Sequence, residues 1–141
     1  MAVLYLDLDG FKRVNDSLGH AAGDQVLRKV AEQLKISLRP YDCVARMGGD
    51  EFTALLDSLD HPEDAARVAE KLIELVSVRH KVDGVEFTLG ASVGIACYPE
   101  CGQTVDGLLR SADMAMYEAK RERNRAYLYQ PQPLSSSPQT G

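Results

Sequence analysis

Cysteine and histidine are scarce and poorly placed for cross-linking or zinc chemistry. Cys43, Cys97 and Cys101 are odd in number and form no C-x-x-C pair, while His20, His61 and His80 are scattered. Neither a disulfide framework nor a zinc site is indicated, and a reducing cytoplasm is the expected compartment. Long apolar runs are also missing. Nothing approaches the roughly 20 residues of a membrane span, and the first nine residues lack the basic start and cleavage site of a signal peptide. A soluble fragment with no membrane segment is expected. There is no basic excess either: the net charge of −5 argues against binding a nucleic-acid polymer, which needs a concentrated Lys/Arg face. A G-x-x-x-x-G-K-[ST] stretch is absent, so a P-loop is excluded as the way of holding phosphates. An anionic ligand would need a metal or a few well-placed cations.

At 141 residues, with 45% hydrophobic and 26% charged, the chain has the length and composition of one ordinary globular domain. Ala2 to Leu6 is an apolar run that stops at Asp7-Leu8-Asp9-Gly10, as a buried strand delivering acids at its end would. Phe11, Val14 and Leu18 recur at helical spacing up to Gly19, and a second apolar stripe predicts a helix from about Gly23 to Leu38, ended by Pro40. Cys43–Arg46 and Phe52–Leu56 flank Gly48-Gly49-Asp50-Glu51 and read as a β-hairpin carrying both acids at its tip. Asp60 is a candidate N-cap for a helix with Pro62 in its first turn. After a turn at Asp83-Gly84, Val85–Leu89 and Ala91–Tyr98 read as strands, Leu108 to Ala119 as a helix, and Ala126–Tyr129 as an edge strand. The order β-α-α-β-β-α-β-β-α-β predicts an α/β fold with a mixed central sheet flanked by helices, related to the ferredoxin-like arrangement. The Pro-, Ser- and Gln-rich stretch 131–141 is expected to be a disordered tail or linker.

Asp7 and Asp9 alternate on one strand end, so both side chains leave the same face and can hold a hard cation. A hairpin beside them would add Asp50 and Glu51, and carboxylates without histidine or thiolate select Mg²⁺ or Mn²⁺. Gly48 and Gly49 permit a tight turn and close approach of an anionic ligand. A solvated acidic turn is the competing reading of Gly-Gly-Asp-Glu taken alone. Gly90-Ala-Ser92-Val-Gly94 fits G-x-S-x-G, but a nucleophile elbow needs a strand-turn-helix context and Val93 to Ile95 continues as strand, so Ser92 reads as structural.

Four segments, in order, resemble the GGDEF family of diguanylate cyclases. They are Asp7-Leu-Asp9-Gly-Phe11-Lys12 through Asn15-Asp16 to Gly23-Asp24, the signature Arg46-Met-Gly48-Gly49-Asp50-Glu51-Phe52, then Ser92-Val-Gly94-Ile-Ala96, and Leu108 to Lys120. The resemblance covers residues 1–130, a catalytic domain of nucleotidyl cyclase, palm-like fold, without the family's usual opening helix and Asp-x-Leu-Thr-x-Leu-x-Asn-Arg turn.

It implies synthesis of cyclic di-GMP from two GTP, with release of pyrophosphate, by two domains facing each other as a homodimer. Asp7, the carbonyl of Leu8 and Asp50 would hold Mg²⁺ or Mn²⁺, and Glu51 would support the metal or the attacking hydroxyl. Phe11, Lys12, Lys120 and Arg123 would hold phosphates, with Gly48 and Gly49 beside them, and Asn15 and Asp24 would read guanine. At the last helix the family reads Ala-Lys-x-x-Gly-Arg-Asn, whereas Lys120-Arg121-Glu122-Arg123-Asn124 lacks the glycine. Arg39 and Asp42 match an inhibitory site for the cyclic di-GMP product. Local readings compete: a surface amide for Asn15, a helix-start charge for Asp24, a dipole-complementing basic turn for Lys120 and Arg123, and a surface ion pair for Arg39 and Asp42. Rival functions are a catalytically silent module that binds GTP or cyclic di-GMP beside a sensor or phosphodiesterase domain, and a two-metal nucleotidyl enzyme making another product.

Overall fold

The computed structural model describes residues 1–130; residues 131–141, where the tail or linker is expected, lie outside the described residues. The first strand, β1 (Ala2–Asp9), is central because it is buried on both faces. Its even positions, Leu4, Leu6 and Leu8, enter the main core, while Val3 and Tyr5 pack toward the opposite face. Gly10 turns the chain into α1 (Phe11–Leu18), and Gly19 alone separates α1 from α2 (His20–Ser37), which starts three residues before the Gly23 expected from the sequence.

The hairpin follows as β2 (Cys43–Gly48) and β3 (Glu51–Leu56), with Gly49 and Asp50 between them. Both strands run longer than expected, so Glu51 belongs to a strand and Asp50 alone is the acid of the turn. Positive φ at Gly48 (151°) and Gly49 (52°) explains the two glycines, since a Cβ strains that backbone. Next come α3 (Pro62–Val76), β4 (Arg79–Val82), β5 (Val85–Thr88), β6 (Gly90–Cys97), α4 (Val105–Glu122) and β7 (Ala126–Leu128).

Among the described residues five strands form one sheet in the order β2-β3-β1-β6-β7, mixed because β7 runs parallel to β6 while the other pairs are antiparallel. The α/β expectation holds, with two corrections. Arg79–Val82 is a strand the sequence reading omitted, and β4 with β5 makes a separate two-stranded hairpin across Asp83-Gly84. Its alternation was hidden because one of its two inward residues is His80, which is buried and bonded to the Val76 carbonyl at 2.8 Å. The cap of α3 is His61, not Asp60: the Asp64 carboxylate accepts from the His61 N–H at 3.1 Å, closing the first turn around Pro62.

Helices α2 and α3 cover one sheet face through Val26, Val30, Leu34, Leu72 and Val76, each nearly inaccessible and each stabilising the fold by about 1.5–3 kcal/mol relative to exposure. Helix α4 lies over the other face and reaches only part of it. Between β1, β3, β2 and the start of α4 runs an apolar groove of about 260 Å³ lined by Val3, Ala45, Met47, Leu55, Val105 and Leu109. No helix among the described residues is long and apolar enough to cross a membrane.

Candidate active site

The period of two on β1 puts Asp7 and Asp9 on the α4 face, and the last turn of α4 brings Lys120 to both. Its ammonium lies 3.2 Å from Asp7 Oδ2 and 3.0 Å from Asp9 Oδ1. The two acids differ in what else they touch. Asp9 is buried and satisfied: the Ser92 hydroxyl donates to it at 2.9 Å and the Asn124 N–H at 2.8 Å. Asp9 therefore anchors the end of α4 to the sheet rather than presenting a free ligand pair with Asp7.

Asp7 keeps one buried oxygen, Oδ1, without a hydrogen-bond partner. Burial first, then the Asp50 charge, push its carboxyl up to about 6 against the opposing pull of Lys120. For Lys120, burial works against the charge, but the hydrogen bond to Asp9 and the charge of Asp7 outweigh it and hold the ammonium above its usual range.

The hairpin reaches β1 through its backbone, with the Leu8 N–H donating to the Asp50 carbonyl at 3.1 Å. Arg46 braces the turn by donating to the Gly49 carbonyl at 2.9 Å. Asp7, Leu8, Phe11, Lys12, Asp50, Lys120 and Arg123 thus line one cleft of about 390 Å³. Helix α1 starts on this cleft. Its N-cap is Gly10, which offers no side-chain acceptor, and its first turn has no acid, so its leading N–H groups are open to an anion.

Glu51 pairs directly across from Asp7 on the neighbouring strand, and the Tyr5 hydroxyl donates to its Oε1 at 3.0 Å. Burial, then the hydrogen bond and charge of Glu51, push the Tyr5 phenol up to about 12.

The remaining sequence-predicted residues lie elsewhere. Gly48 and Gly49 shape the turn without lining the cleft. Asn15 sits on α1, one helical turn beyond Lys12, against α2 at Gly23, where an added Cβ would stand 1.8 Å from its Oδ1. Asp24 is exposed and, because α2 starts at His20, lies past the first turn, which weakens its reading as a helix-start charge.

Arg39 and Asp42 form a separate site, paired at 3.2 Å beside a second cleft of about 330 Å³ that includes Ser58, Asp64 and Lys71. The Asp42 carboxylate is 2% exposed and also accepts the N–H groups of Arg39 and Asp57. The Arg39 guanidinium is 44% exposed and lies over the Tyr41 ring. A ligand would therefore meet Arg39 first.

Four residues of this neighbourhood were missed in the sequence. Arg13 lines the cleft beside Lys12, and Tyr5 holds Glu51. Asn124 accepts from the Ala91 N–H and the Ser77 hydroxyl while its own N–H caps Asp9. Gly23 makes room for Asn15. Gly23 and Asn124 stood inside the segments that carry the family resemblance without a role assigned to them, and Tyr5 had a signal of its own, a polar-tipped aromatic two residues before Asp7 and hence on the same strand face.

Comparison with known proteins places this geometry. Residues 1–126 match the family model described as diguanylate cyclase, GGDEF domain. The bifunctional diguanylate cyclase/cyclic di-GMP phosphodiesterase MucR of Pseudomonas aeruginosa is 46% identical over 91% of this chain, which spans only 18% of MucR. Diguanylate cyclase TpbB of the same species is 47% identical over 86% of the chain, which spans 28% of TpbB. The crystal structure of the TpbB GGDEF domain superposes with a TM-score of 0.88 at 45% identity, covering 93% of this chain and 83% of that one. The GGDEF domain of DgcB from Caulobacter crescentus, solved in complex with c-di-GMP, gives 0.81 at 30% identity, covering 91% and 77%. By its matched length, its sheet order and the acids gathered at the end of β1, the chain belongs to the GGDEF domain family of diguanylate cyclases.

Proposed function

We propose that this domain joins two GTP molecules into cyclic di-GMP, acting as a homodimer in which each copy holds one GTP. The observation that carries the reading is the cleft at the end of β1, which Asp7, with its one unpartnered oxygen, lines together with a helix start and the cations Lys12, Lys120 and Arg123. Asp7, the Leu8 carbonyl and Asp50 would hold Mg²⁺ or Mn²⁺. The donor set fits: all oxygen, with one buried carboxylate oxygen lacking any other partner. Among the described residues no three acidic, histidine or cysteine side chains are grouped as a cation site on their own. Magnesium takes one or two carboxylates and completes its shell with water and substrate phosphates, so Asp7 and Asp50 would suffice as its side-chain ligands. When bound, the cation supplies charge neutralisation at the phosphates and acidifies the attacking hydroxyl.

The protein groups do the positioning. The first N–H groups of α1, with Lys12, cradle the outer phosphates, and Lys120 and Arg123 approach from α4. The bare turn at Gly48 and Gly49 allows the second nucleotide to come close, and Glu51 supports the metal or the attacking hydroxyl. The 3′-oxygen of one GTP forms a bond to the α-phosphorus of the other as the bond to the β-phosphate bridge breaks; pyrophosphate leaves, and a second round closes the ring. A sensor domain, or a phosphodiesterase domain, in a longer chain would set the pairing of the two copies.

The test is product identification. With the domain held as a dimer by a fused coiled coil, GTP with Mg²⁺ should give cyclic di-GMP and one pyrophosphate per GTP, and ATP should give nothing. Nucleotide binding without pyrophosphate would make it a regulatory module, and a different cyclic or linear product another nucleotidyl enzyme.

Guanine selection has its own prediction. Asn15 and Asp24 offer an amide and a carboxylate suited to the guanine N1–H and N2–H₂ edge. Asn15→Ala, Asp24→Ala, and also Gly23→Ala, whose new Cβ displaces Asn15, should each weaken GTP binding about tenfold while magnesium binding holds. Equal affinity of the unmodified domain for GTP and ATP would remove this assignment.

For feedback, cyclic di-GMP is expected to bind at Arg39 and Asp42 and slow the enzyme even at saturating GTP, a coupling between distinct sites. Arg39→Ala should keep the initial rate and lose non-competitive product inhibition, because alanine cannot replace the exposed guanidinium fork. Unchanged inhibition in initial-rate assays of that variant would leave Arg39 and Asp42 as the latch between the β2 and β3 ends that their bonds to Asp57 already make.

A further inference from the structure

We propose that Tyr5 is a positioning residue for Glu51, an inference that rests on the cyclase reading of the site. Asp7 and Glu51 are direct cross-strand partners, so their carboxylates share one sheet face. Like charges placed this way repel, and a glutamate with three side-chain torsions would swing aside unless something held it. The structure supplies a holder. Tyr5 precedes Asp7 by two residues on the same face, and its hydroxyl donates to Glu51 Oε1 at 3.0 Å. Among the described residues this is the one hydrogen bond or ion pair the Glu51 carboxylate makes.

The phenol is itself well fixed. Its ring packs against the small cluster of Val3, Ala96, Leu108 and Ala112, and it is flanked across the strands by Thr53 and Gly94. A rigid ring with two torsions, seated on packed apolar neighbours, delivers its hydroxyl to one place. Drawing Oε1 toward residue 5 sets where Oε2 lies along the strand, one residue past the Asp50 turn. Tyr5 therefore acts through Glu51 and touches neither substrate nor cation.

Tyr5→Phe isolates this role, because phenylalanine keeps the ring and removes only the donor. In the coiled-coil dimer used to test the cyclase reading, kcat should fall about tenfold, as expected for loss of one hydrogen bond to a charged group, with KM for GTP and the melting temperature unchanged. A crystal structure of the variant should show the Glu51 carboxylate displaced from its place beside residue 5. An unchanged kcat, a rate loss that tracks a lower melting temperature, or an unmoved Glu51 would each overturn the inference. If the unmodified dimer makes no cyclic di-GMP, the cyclase reading fails by itself, and the position of Glu51 in the variant still decides whether Tyr5 holds it.

Discussion

Asp50→Ala is expected to leave a folded domain whose cyclic di-GMP synthesis is at least about a hundredfold slower, a loss on the order of 3 kcal/mol of transition-state stabilisation. The two halves of that expectation come from different atoms of one residue. The hairpin is tied to β1 by the β3 ladder and, at its tip, by the Asp50 carbonyl, which accepts from the Leu8 N–H at 3.1 Å; neither is touched by the substitution. The carboxylate makes no hydrogen bond or ion pair among the described residues, and it is one of the charges that raise the Asp7 pKa. Removing it costs the fold nothing beyond a surface change, within about 0.5 kcal/mol. A carboxylate that makes no bond within the fold yet lies near enough to raise the Asp7 pKa is the ground for its proposed role as a metal ligand. Pyrophosphate release by the dimerised protein and a thermal melt check both halves. Activity above half of the unmodified rate, with an unchanged melt, would take Asp50 out of the mechanism.

How much of this was legible in the sequence depends on how far apart the interacting residues lie. The end of β1 was readable because a run of apolar residues stops at Asp7, and α2 and α4 because their stripes are long and regular. The hairpin was readable from its glycines, although its strands extend far enough to put Glu51 opposite Asp7. β4 was not, because a four-residue strand whose inward positions include a histidine shows too little alternation. Within the site, residue types were legible and partnerships were not. That Lys120 bridges Asp7 and Asp9, that Ser92 and Asn124 complete Asp9, and that Tyr5 meets Glu51 all follow from the sheet order and from where α4 ends. Those contacts span 46 to 115 positions of chain, beyond any local pattern. Ser92 shows the point from the other side: the serine of a G-x-S-x-G stretch is fully buried in a continuous strand, where its hydroxyl serves a carboxylate.

The glycine that ends that stretch should prove the least replaceable residue of the fold. Gly94 lies in the middle of β6, opposite Tyr5 on β1, at the point where α4 crosses the sheet. A Cβ there would stand 2.0 Å from the Ala112 carbonyl oxygen, 2.2 Å from the Met116 nitrogen and 2.8 Å from the Ala115 carbonyl carbon. All three are backbone atoms, so no side chain can rotate away, and the helix as a whole must lift. Its seam is built for closeness, with Ala112, Ala115 and Ala119 all buried. Lifting α4 opens those contacts and draws Lys120 away from Asp7 and Asp9, so stability and cleft fail together. Overpacking a core costs about 1–3 kcal/mol and more when only backbone can yield. Against a total stability of about 5–15 kcal/mol, Gly94→Ala should lower the melting temperature on the order of 10 °C, and Gly94→Val should not fold. Circular dichroism melts of the two variants beside the unmodified domain measure this directly. A Gly94→Ala protein melting within about 2 °C of the original would mean that α4 sits farther from β6 than these distances place it.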